Sequence, residues 1–323
     1  MRRDAVRRGG GDYAEHCVIL NYERRGTSRR YTYYGLPRDC DTIFFPGCAL
    51  SGTRPDKVEK LFEHLRKSSP SLGIVLDCCT KPSHDLGRED HFRAMFHEMA
   101  AYLLENGVRR VLVACPNCYE VFKEYGGDLA VRTVYEVLAE NGMPKARPMD
   151  EVVTIHDPCV VRFDGAVHSA VRELAGGLGL AVEEMAHRGE KTLCCGEGGS
   201  VRFLLPELAR RWCAGRNGEA GGRRIITYCA GCADMLSAGA PTDHILDLLF
   251  HGSPPDGESP KVSKAPVTYW NRLRLKHRFK KSVDVAVARE RDFAPETGNG
   301  KGSVMRCLRR FFRMLASSVG RPG

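Results

Sequence analysis

Apolar positions along the chain alternate between two spacings. Short β-branched or aromatic runs, Thr42-Ile43-Phe44-Phe45, Gly73-Ile74-Val75-Leu76 and Val111-Leu112-Val113-Ala114, predict strands, and amphipathic stretches with helical spacing follow them. Val58, Leu61, Phe62 and Leu65 mark one helix, and Phe92, Met95, Phe96, Met99 and Leu103 another. After residue 150 the alternation recurs. Val152-Val153-Thr154-Ile155 and Arg224-Ile225-Ile226-Thr227-Tyr228 predict strands, with helices marked by Val167, Val171, Leu174 and Leu178, then by Val201, Leu204, Leu205, Leu208 and Trp212. Pro206 falls inside the last run, so a helix starts or kinks there. Ala181 to Met185 gives only a poorly defined strand.

Strands alternating with helices imply parallel pairing through helical crossovers, the α/β class. The 323 residues suit two domains of ordinary size. The expected organisation is an N-terminal extension over 1–40, two tandem pseudo-repeated βα domains with mainly parallel sheets over 41–149 and 150–250, and a basic, partly helical or disordered C-terminal tail over 251–323. His251 to Gly257 reads as a linker, and little before residue 303 looks able to form a core. Tyr269 to Lys281 interleaves Lys/Arg with Trp270, Leu273, Leu275 and Phe279. Residues 303–319 place Val304, Met305, Leu308, Phe311, Phe312 and Leu315 on one helical face, with Arg306, Arg309, Arg310 and Arg313 mostly off it. Such a helix suits an anionic membrane surface or a partner protein, or simply packs on the body.

Charge separates the tail from the rest. Residues 1–47 carry 9 Lys/Arg against 6 Asp/Glu, residues 48–250 carry 24 against 28, and residues 251–323 carry 16 against 6. A basic tail on a near-neutral body points to docking or peripheral membrane contact rather than to a nucleic-acid-binding fold. The Arg-rich N-terminus lacks the apolar segment of a secretory signal, and no run approaches the roughly 20 apolar residues of a membrane span. The expected location is cytoplasmic, with peripheral attachment at the inner face of the membrane as an option through 303–319. In a reducing compartment, many cysteines signal metal or redox chemistry rather than disulfides.

Ten of the 14 cysteines form one pattern written twice: a lone Cys, an adjacent pair, then Cys-x-x-Cys. The first copy is Cys48, Cys78-Cys79 and Cys115-Pro-Asn-Cys118; the second is Cys159, Cys194-Cys195 and Cys229-Ala-Gly-Cys232. Thiolates are soft ligands for iron-sulfur clusters and zinc, and both ordinarily close at four ligands, whereas each copy here supplies five. Most of these cysteines closely follow a strand, where ligands of open α/β sheets gather and helix N-termini favour thiolate. Structural zinc, simple burial and a disulfide between neighbours remain competing readings. Neighbouring cysteines close a strained ring, and burial alone does not repeat the same order twice.

The motifs Phe-Pro-Gly-Cys48, Ala-Cys115-Pro-Asn-Cys118, His156-Asp157-Pro-Cys159, Cys194-Cys195-Gly196 and Cys229-Ala-Gly-Cys232 occur in order between about Asp41 and Phe250. In them the chain resembles the cysteine-rich, or CCG-domain, iron-sulfur family, including the B subunit of heterodisulfide reductase and the iron-sulfur subunits of glycolate oxidase and lactate-utilisation systems. The resemblance implies one noncubane 4Fe-4S cluster per complete motif, two in all, held by Cys48, Cys78, Cys79, Cys115 and Cys118 and by Cys159, Cys194, Cys195, Cys229 and Cys232. It implies two-electron chemistry on a disulfide, or electron passage between a flavin partner and an acceptor. The first copy departs from the pattern, with Thr80 where Gly usually follows the pair. The chain also lacks the clustered ferredoxin cysteine signature and a Gly-x-Gly-x-x-Gly after a strand, so electrons are expected from a flavoprotein or ferredoxin-like subunit.

His156 and Asp157 are candidates to orient the second site or to serve the fold, and His84 to donate a proton near a substrate. The Gly196-Glu-Gly198-Gly199 run offers backbone amides to sulfur, or makes a tight turn. Cys17, Cys40, Cys213 and Cys307 lie outside the pattern as ordinary thiols. Three functions follow in order of preference: an iron-sulfur oxidoreductase subunit of the heterodisulfide-reductase type, needing partner subunits; an electron-accepting subunit of a flavin-linked glycolate or lactate-type dehydrogenase; and a zinc-binding non-enzymatic scaffold recruited by its basic tail.

Overall fold

The computed structural model describes residues 2–11, 13–146, 148–251 and 262–295. Its strands are β1 (Tyr33–Leu36), β2 (Thr42–Phe45), β3 (Gly73–Leu76), β4 (Arg110–Val113), β5 (Ala130–Thr133), β6 (Glu151–His156), β7 (Leu180–Val182), β8 (Arg224–Thr227), β9 (Thr242–His244) and β10 (Val287–Arg289). One sheet has the order β10-β1-β3-β2-β4-β5 and the other β7-β6-β8-β9. The second sheet is parallel throughout, and so is the β3-β2-β4-β5 part of the first, whereas β1 and β10 pair antiparallel. Counted from β2 and from β6, both halves therefore run second-first-third-fourth. The duplicated cysteine pattern rests on a duplicated sheet topology.

β2 and β3 are buried at every position, as expected of parallel strands covered on both faces by helices, and this is why they read as unbroken apolar runs. The two sheets share one continuous core, in which Phe45 and Phe122 from the first half join Val153, Ile226 and Tyr228 from the second. Helix Val134–Asn141 of the first half packs on helix Gly165–Gly177 of the second. A capping box closed by Thr133 and Glu136 starts the first of these helices. The buried Arg54–Asp247 ion pair, 2.7 Å, also bridges the halves.

Both flanks of the cysteine region take part in the first sheet. From the N-terminal segment, helix Cys17–Gly26 packs on the helix Lys81–Asp85 that follows Cys79, and β1 adds a strand. The expectation of little core before residue 303 is overturned: helix Val267–Ser282 packs on helix Cys48–Thr53, with Leu275 and Phe279 buried, and β10 pairs with β1. Phe279 meets Phe62 edge-on at 5.1 Å. Residues 252–257 of the expected linker, the amphipathic stretch 303–319 and Cys307 lie outside the described residues. Among the described residues, no helix is long and apolar enough to cross a membrane.

Candidate metal centres

All but one of the cysteine groups are delivered by the carboxyl end of a strand. Cys48 opens helix Cys48–Thr53 just after β2, Cys78 and Cys79 follow β3, and Cys115 precedes helix Pro116–Tyr125, whose first turn carries Cys118. In the second half Cys159 opens a 3-10 turn after β6, and Cys229 precedes helix Ala230–Leu236, which carries Cys232. Cys194 and Cys195 stand at the end of a longer loop from β7, beyond the turn Gly189–Lys191. The lone cysteine and the Cys-x-x-Cys thus leave the first and third strands of each half, neighbours in the sheet whose connections run in opposite directions, the place where α/β sheets gather ligands.

The ten sulfurs form two groups of five, a Cys48–Cys78 pair beside a Cys79–Cys118–Cys115 trio in the first half and one continuous chain in the second. In the first, Cys48 is hydrogen-bonded to Cys78, Cys79 Sγ lies 3.4 Å from Cys118 Sγ, and Cys118 is bonded to Cys115. In the second, Cys194 bonds both Cys159 and Cys195, Cys195 Sγ lies 3.2 Å from Cys232 Sγ, and Cys232 bonds Cys229. Close approach demands glycine beside the first group. Gly47 has φ 83°, and a Cβ there would sit 3.0 Å from Cys115 Cβ and 3.2 Å from Cys118 Sγ.

Shared hydrogen bonds make Cys48 in the first group and Cys194 and Cys229 in the second ready thiolates. The bond from Cys78, aided by the Arg272 guanidinium and Tyr22, pushes Cys48 down to about 6, while Cys78 is raised. Cys194 falls far below the thiol range because Cys159 and Cys195 bond to it, along with the backbone amides of Gly196 and Gly198; Cys159 and Cys195 rise in turn. The Gly196 amide donates to Cys194 Sγ at 3.3 Å, so the glycine run does offer its N–H groups to sulfur.

His156 is fully buried beside the second site. One of its ring nitrogens and the Sγ atoms of Cys195 and Cys232 lie within 4.8 Å of one another. Arg216 Nε lies 3.2 Å from His156 Nδ1, and a guanidinium can only donate, so Nδ1 accepts and the ring proton sits on Nε2, which has no partner. Burial, reinforced by Arg216, holds the imidazole neutral, down to about 3. Asp157 instead serves the fold: its carboxylate takes Arg172 Nη2 at 2.9 Å, the Gly189 amide at 2.9 Å and the Tyr228 hydroxyl at 3.1 Å. His84 is engaged by the Tyr125 hydroxyl at 3.1 Å and Arg3 Nη2 at 3.0 Å. Cys40 and Cys213 are buried free thiols, the latter packed in one cluster with Cys195, Cys229 and Cys232 but donating to the Met235 carbonyl, whereas Cys17, expected as an ordinary thiol, is disulfide-bonded.

The two sites face each other. A cavity of about 70 Å³ is lined by Cys115 and Asn117 from one half, by Cys229, Gly231 and His244 from the other, and by Glu197. Burial pushes the Glu197 carboxyl up to about 7. The Tyr135 hydroxyl lies 2.7 Å from the Ala114 carbonyl and 3.0 Å from the Tyr228 carbonyl, the residues just ahead of Cys115 and Cys229. That one phenol ties the two Cys-x-x-Cys turns together. Tyr22, Tyr135, Arg216, His244 and Arg272 carry no motif and escaped the sequence reading; only Glu197, inside the glycine run, was signalled.

Ten thiols arranged as two groups of five, each with a thiolate-prone member, the second also with backbone amides donating to Cys194, fit a soft, thiolate-bound metal group. A tetrahedral zinc site leaves one sulfur of each group unused.

Comparison with known proteins agrees with that chemistry. Similar proteins include the EtfAB:quinone oxidoreductase of Syntrophomonas wolfei, 29% identical over 53% of this chain and 26% of the relative, and the probable iron-sulfur-binding oxidoreductase FadF of Bacillus subtilis, 28% identical over 59% and 29%. The D subunit of the dihydromethanophenazine:CoB--CoM heterodisulfide reductase of Methanosarcina barkeri is 23% identical over 62% of this chain and 52% of the relative. The chain thus matches between about a quarter and half of the length of these relatives. The cysteine-rich domain (CCG) model matches residues 42–123 and 153–237, two segments that contain all ten patterned cysteines. This protein belongs to the CCG cysteine-rich domain family.

Proposed function

We propose that the chain is an iron-sulfur oxidoreductase subunit whose two five-cysteine sites pass electrons between a partner protein and an acceptor. Cys48, Cys78, Cys79, Cys115 and Cys118 would hold one noncubane 4Fe-4S cluster, and Cys159, Cys194, Cys195, Cys229 and Cys232 the other. When bound, such groups supply one-electron storage at each site. The observation that carries the reading is the shared cavity: Cys115 and Cys229, one from each site, line the same small space.

The chain's own residues set the conditions there. Tyr135 fixes the spacing of the two Cys-x-x-Cys turns, and the apolar walls Ala49, Leu50, Ala114 and Ala230 limit access of water. Glu197, with its raised carboxyl, can hold a proton near neutral pH at the cavity wall. Reduction of a disulfide at this place, in the manner of a heterodisulfide reductase, needs both electrons and protons, and the cavity offers a holder for each. The relatives' names, an EtfAB:quinone oxidoreductase and a heterodisulfide reductase subunit among them, support a chain that works with partner subunits. The ten patterned thiols are free, which suits a reducing compartment such as the cytoplasm, whereas the Cys17 disulfide does not add to that reading.

Anaerobic purification with metal and sulfide analysis tests the reading. About eight irons and a matching amount of acid-labile sulfide per chain are expected. Stoichiometric zinc without sulfide would overturn it in favour of a scaffold.

A further inference from the structure

The two sites differ in how their buried arginines are neutralised. Beside the second site, Arg216 forms an ion pair with Glu219 at 2.7 Å and reaches the sulfurs through His156. Beside the first stands Arg272, on helix Val267–Ser282 and outside both segments matched by the family model. Its side chain is wholly enclosed, the residue being 3% exposed. Nη2 donates to the Gly26 carbonyl at 3.2 Å, the guanidinium lies 5.7 Å from the Tyr22 ring centre and 5.2 Å from that of Tyr31, and Nη1 has no partner.

Among the described residues no carboxylate lies within ion-pair distance of Arg272. The carboxyl that acts on it, Asp77, is already held by the Tyr34 hydroxyl at 2.5 Å and by Arg291 at 3.2 Å. The other acidic groups facing Arg272 are the Tyr22 hydroxyl and the thiols of Cys48 and Cys78. The approach is built to close tolerance: a Cβ on Gly26 would sit 3.3 Å and 3.4 Å from the two terminal guanidinium nitrogens and 3.4 Å from Cys78 Cβ. Tyr22 in turn hydrogen-bonds Cys48. A buried cation with an unused N–H and no carboxylate of its own requires an anion at the sulfurs it faces.

We propose that Arg272 and Tyr22 cap the Cys48–Cys78 edge as positioning residues, so that the first cysteine site takes up an added electron more readily than the second. The inference rests on the iron-sulfur reading. An electron arriving at either site adds one negative charge without breaking a bond. An uncompensated, fully buried guanidinium stabilises that charge, whereas at the second site Arg216 is already offset by Glu219 and Arg162, the guanidinium acting on Cys159, is only half-buried and donates to the Cys159 and Thr192 carbonyls. Helix Val267–Ser282, outside the segments matched by the family model, thereby gives otherwise duplicated sites a direction for electron flow.

The test is a mediated reductive titration with dithionite, followed by electron paramagnetic resonance, on the full anaerobic chain and on Arg272→Gln, Arg272→Lys and Tyr22→Phe. A Cys195→Ser background assigns the signals. Arg272→Gln is expected to lower the midpoint of the first-site signal and leave the second in place, Arg272→Lys to restore most of it, and Tyr22→Phe to give a smaller shift in the same direction. Tyr22→Phe carries the test if Arg272→Gln does not accumulate as folded protein. Iron present with an unmoved first-site midpoint, or loss of first-site iron in Arg272→Gln and Arg272→Lys alike, would overturn the cap alone. Absence of iron and sulfide from the unaltered chain would overturn the cluster reading and the cap with it.

Discussion

The sulfur of Cys195 lies 3.2 Å from that of Cys232, and both are free thiols. The counterpart pair in the first site, Cys79 and Cys118, is 3.4 Å apart. Oxidation of metal-free protein should therefore link partners distant in sequence rather than the adjacent pairs, whose ring closure is strained. Peptide mapping after brief air exposure should find Cys195–Cys232 and Cys79–Cys118 bridges. Predominant Cys78–Cys79 or Cys194–Cys195 bridges would contradict the geometry.

Tyr135 clamps the ends of β4 and β8 through the Ala114 and Tyr228 carbonyls. The single hydroxyl proton serves one carbonyl at a time and the Tyr228 carbonyl also pairs with His244, so Tyr135→Phe keeps the ring and leaves one buried acceptor short, a cost of about 1 kcal/mol. Denaturant unfolding should show that loss. An unchanged midpoint would remove the phenol from the account of how the sites are held together.

The residue after each cysteine pair has positive φ, 56° at Thr80 and 97° at Gly196. The two positions nonetheless differ in space. A Cβ on Gly196 would sit 2.4 Å from the Ala209 carbonyl oxygen, whereas Thr80 is accommodated and bonds its hydroxyl to the Cys79 carbonyl at 2.8 Å. Gly196→Ala should destabilise the second half by more than about 2 kcal/mol, because steric overlap with backbone adds to the left-handed strain. Thr80→Ala should cost less, about 1 kcal/mol for the hydroxyl. Thermal melting compares the two, and an equal loss would contradict the difference in packing.

Acid should destabilise the fold through two imidazoles kept neutral by burial. His156 is held down to about 3 with Arg216 reinforcing the effect, and His244 well below its ordinary 6.5 with Arg54 doing the same. Above 6.5 neither folded nor unfolded chain protonates them, so nothing is lost. As pH falls below 6.5 the unfolded chain takes up protons that the folded chain refuses, and stability drops by about 1.4 kcal/mol per pH unit per imidazole until the folded value is reached. Denaturant midpoints of metal-free protein between pH 7 and pH 5 should fall, and His244→Asn should flatten the slope. A slope unchanged by that substitution would contradict the burial argument for His244.

Much of this fold is written in apolar spacing. β2, β3, β4, β6 and β8 read as strands because parallel strands buried on both faces need continuous apolar runs, and Pro206 does begin the helix Pro206–Glu219. β5, Ala130–Thr133, and β9, Thr242–His244, are short and partly polar, which hid them. Helix Val267–Ser282 was obscured by buried cations: Lys276 donates to the Arg29 carbonyl at 2.7 Å and Arg272 faces the cysteines, so its core face does not look apolar. The cysteines themselves were legible through repetition. Their supporting residues were not, because Tyr135, Arg216 and Arg272 reach the sites from helices with no local pattern near a cysteine.

Two separate five-cysteine metal sites are the centre of the account, and site-by-site removal tests them most directly. Cys79→Ser and Cys195→Ser, prepared anaerobically, should each lose about half of the iron and sulfide and one of two paramagnetic signals, a different one in each case. Full iron retention in both variants, or loss of the same signal from both, would contradict it.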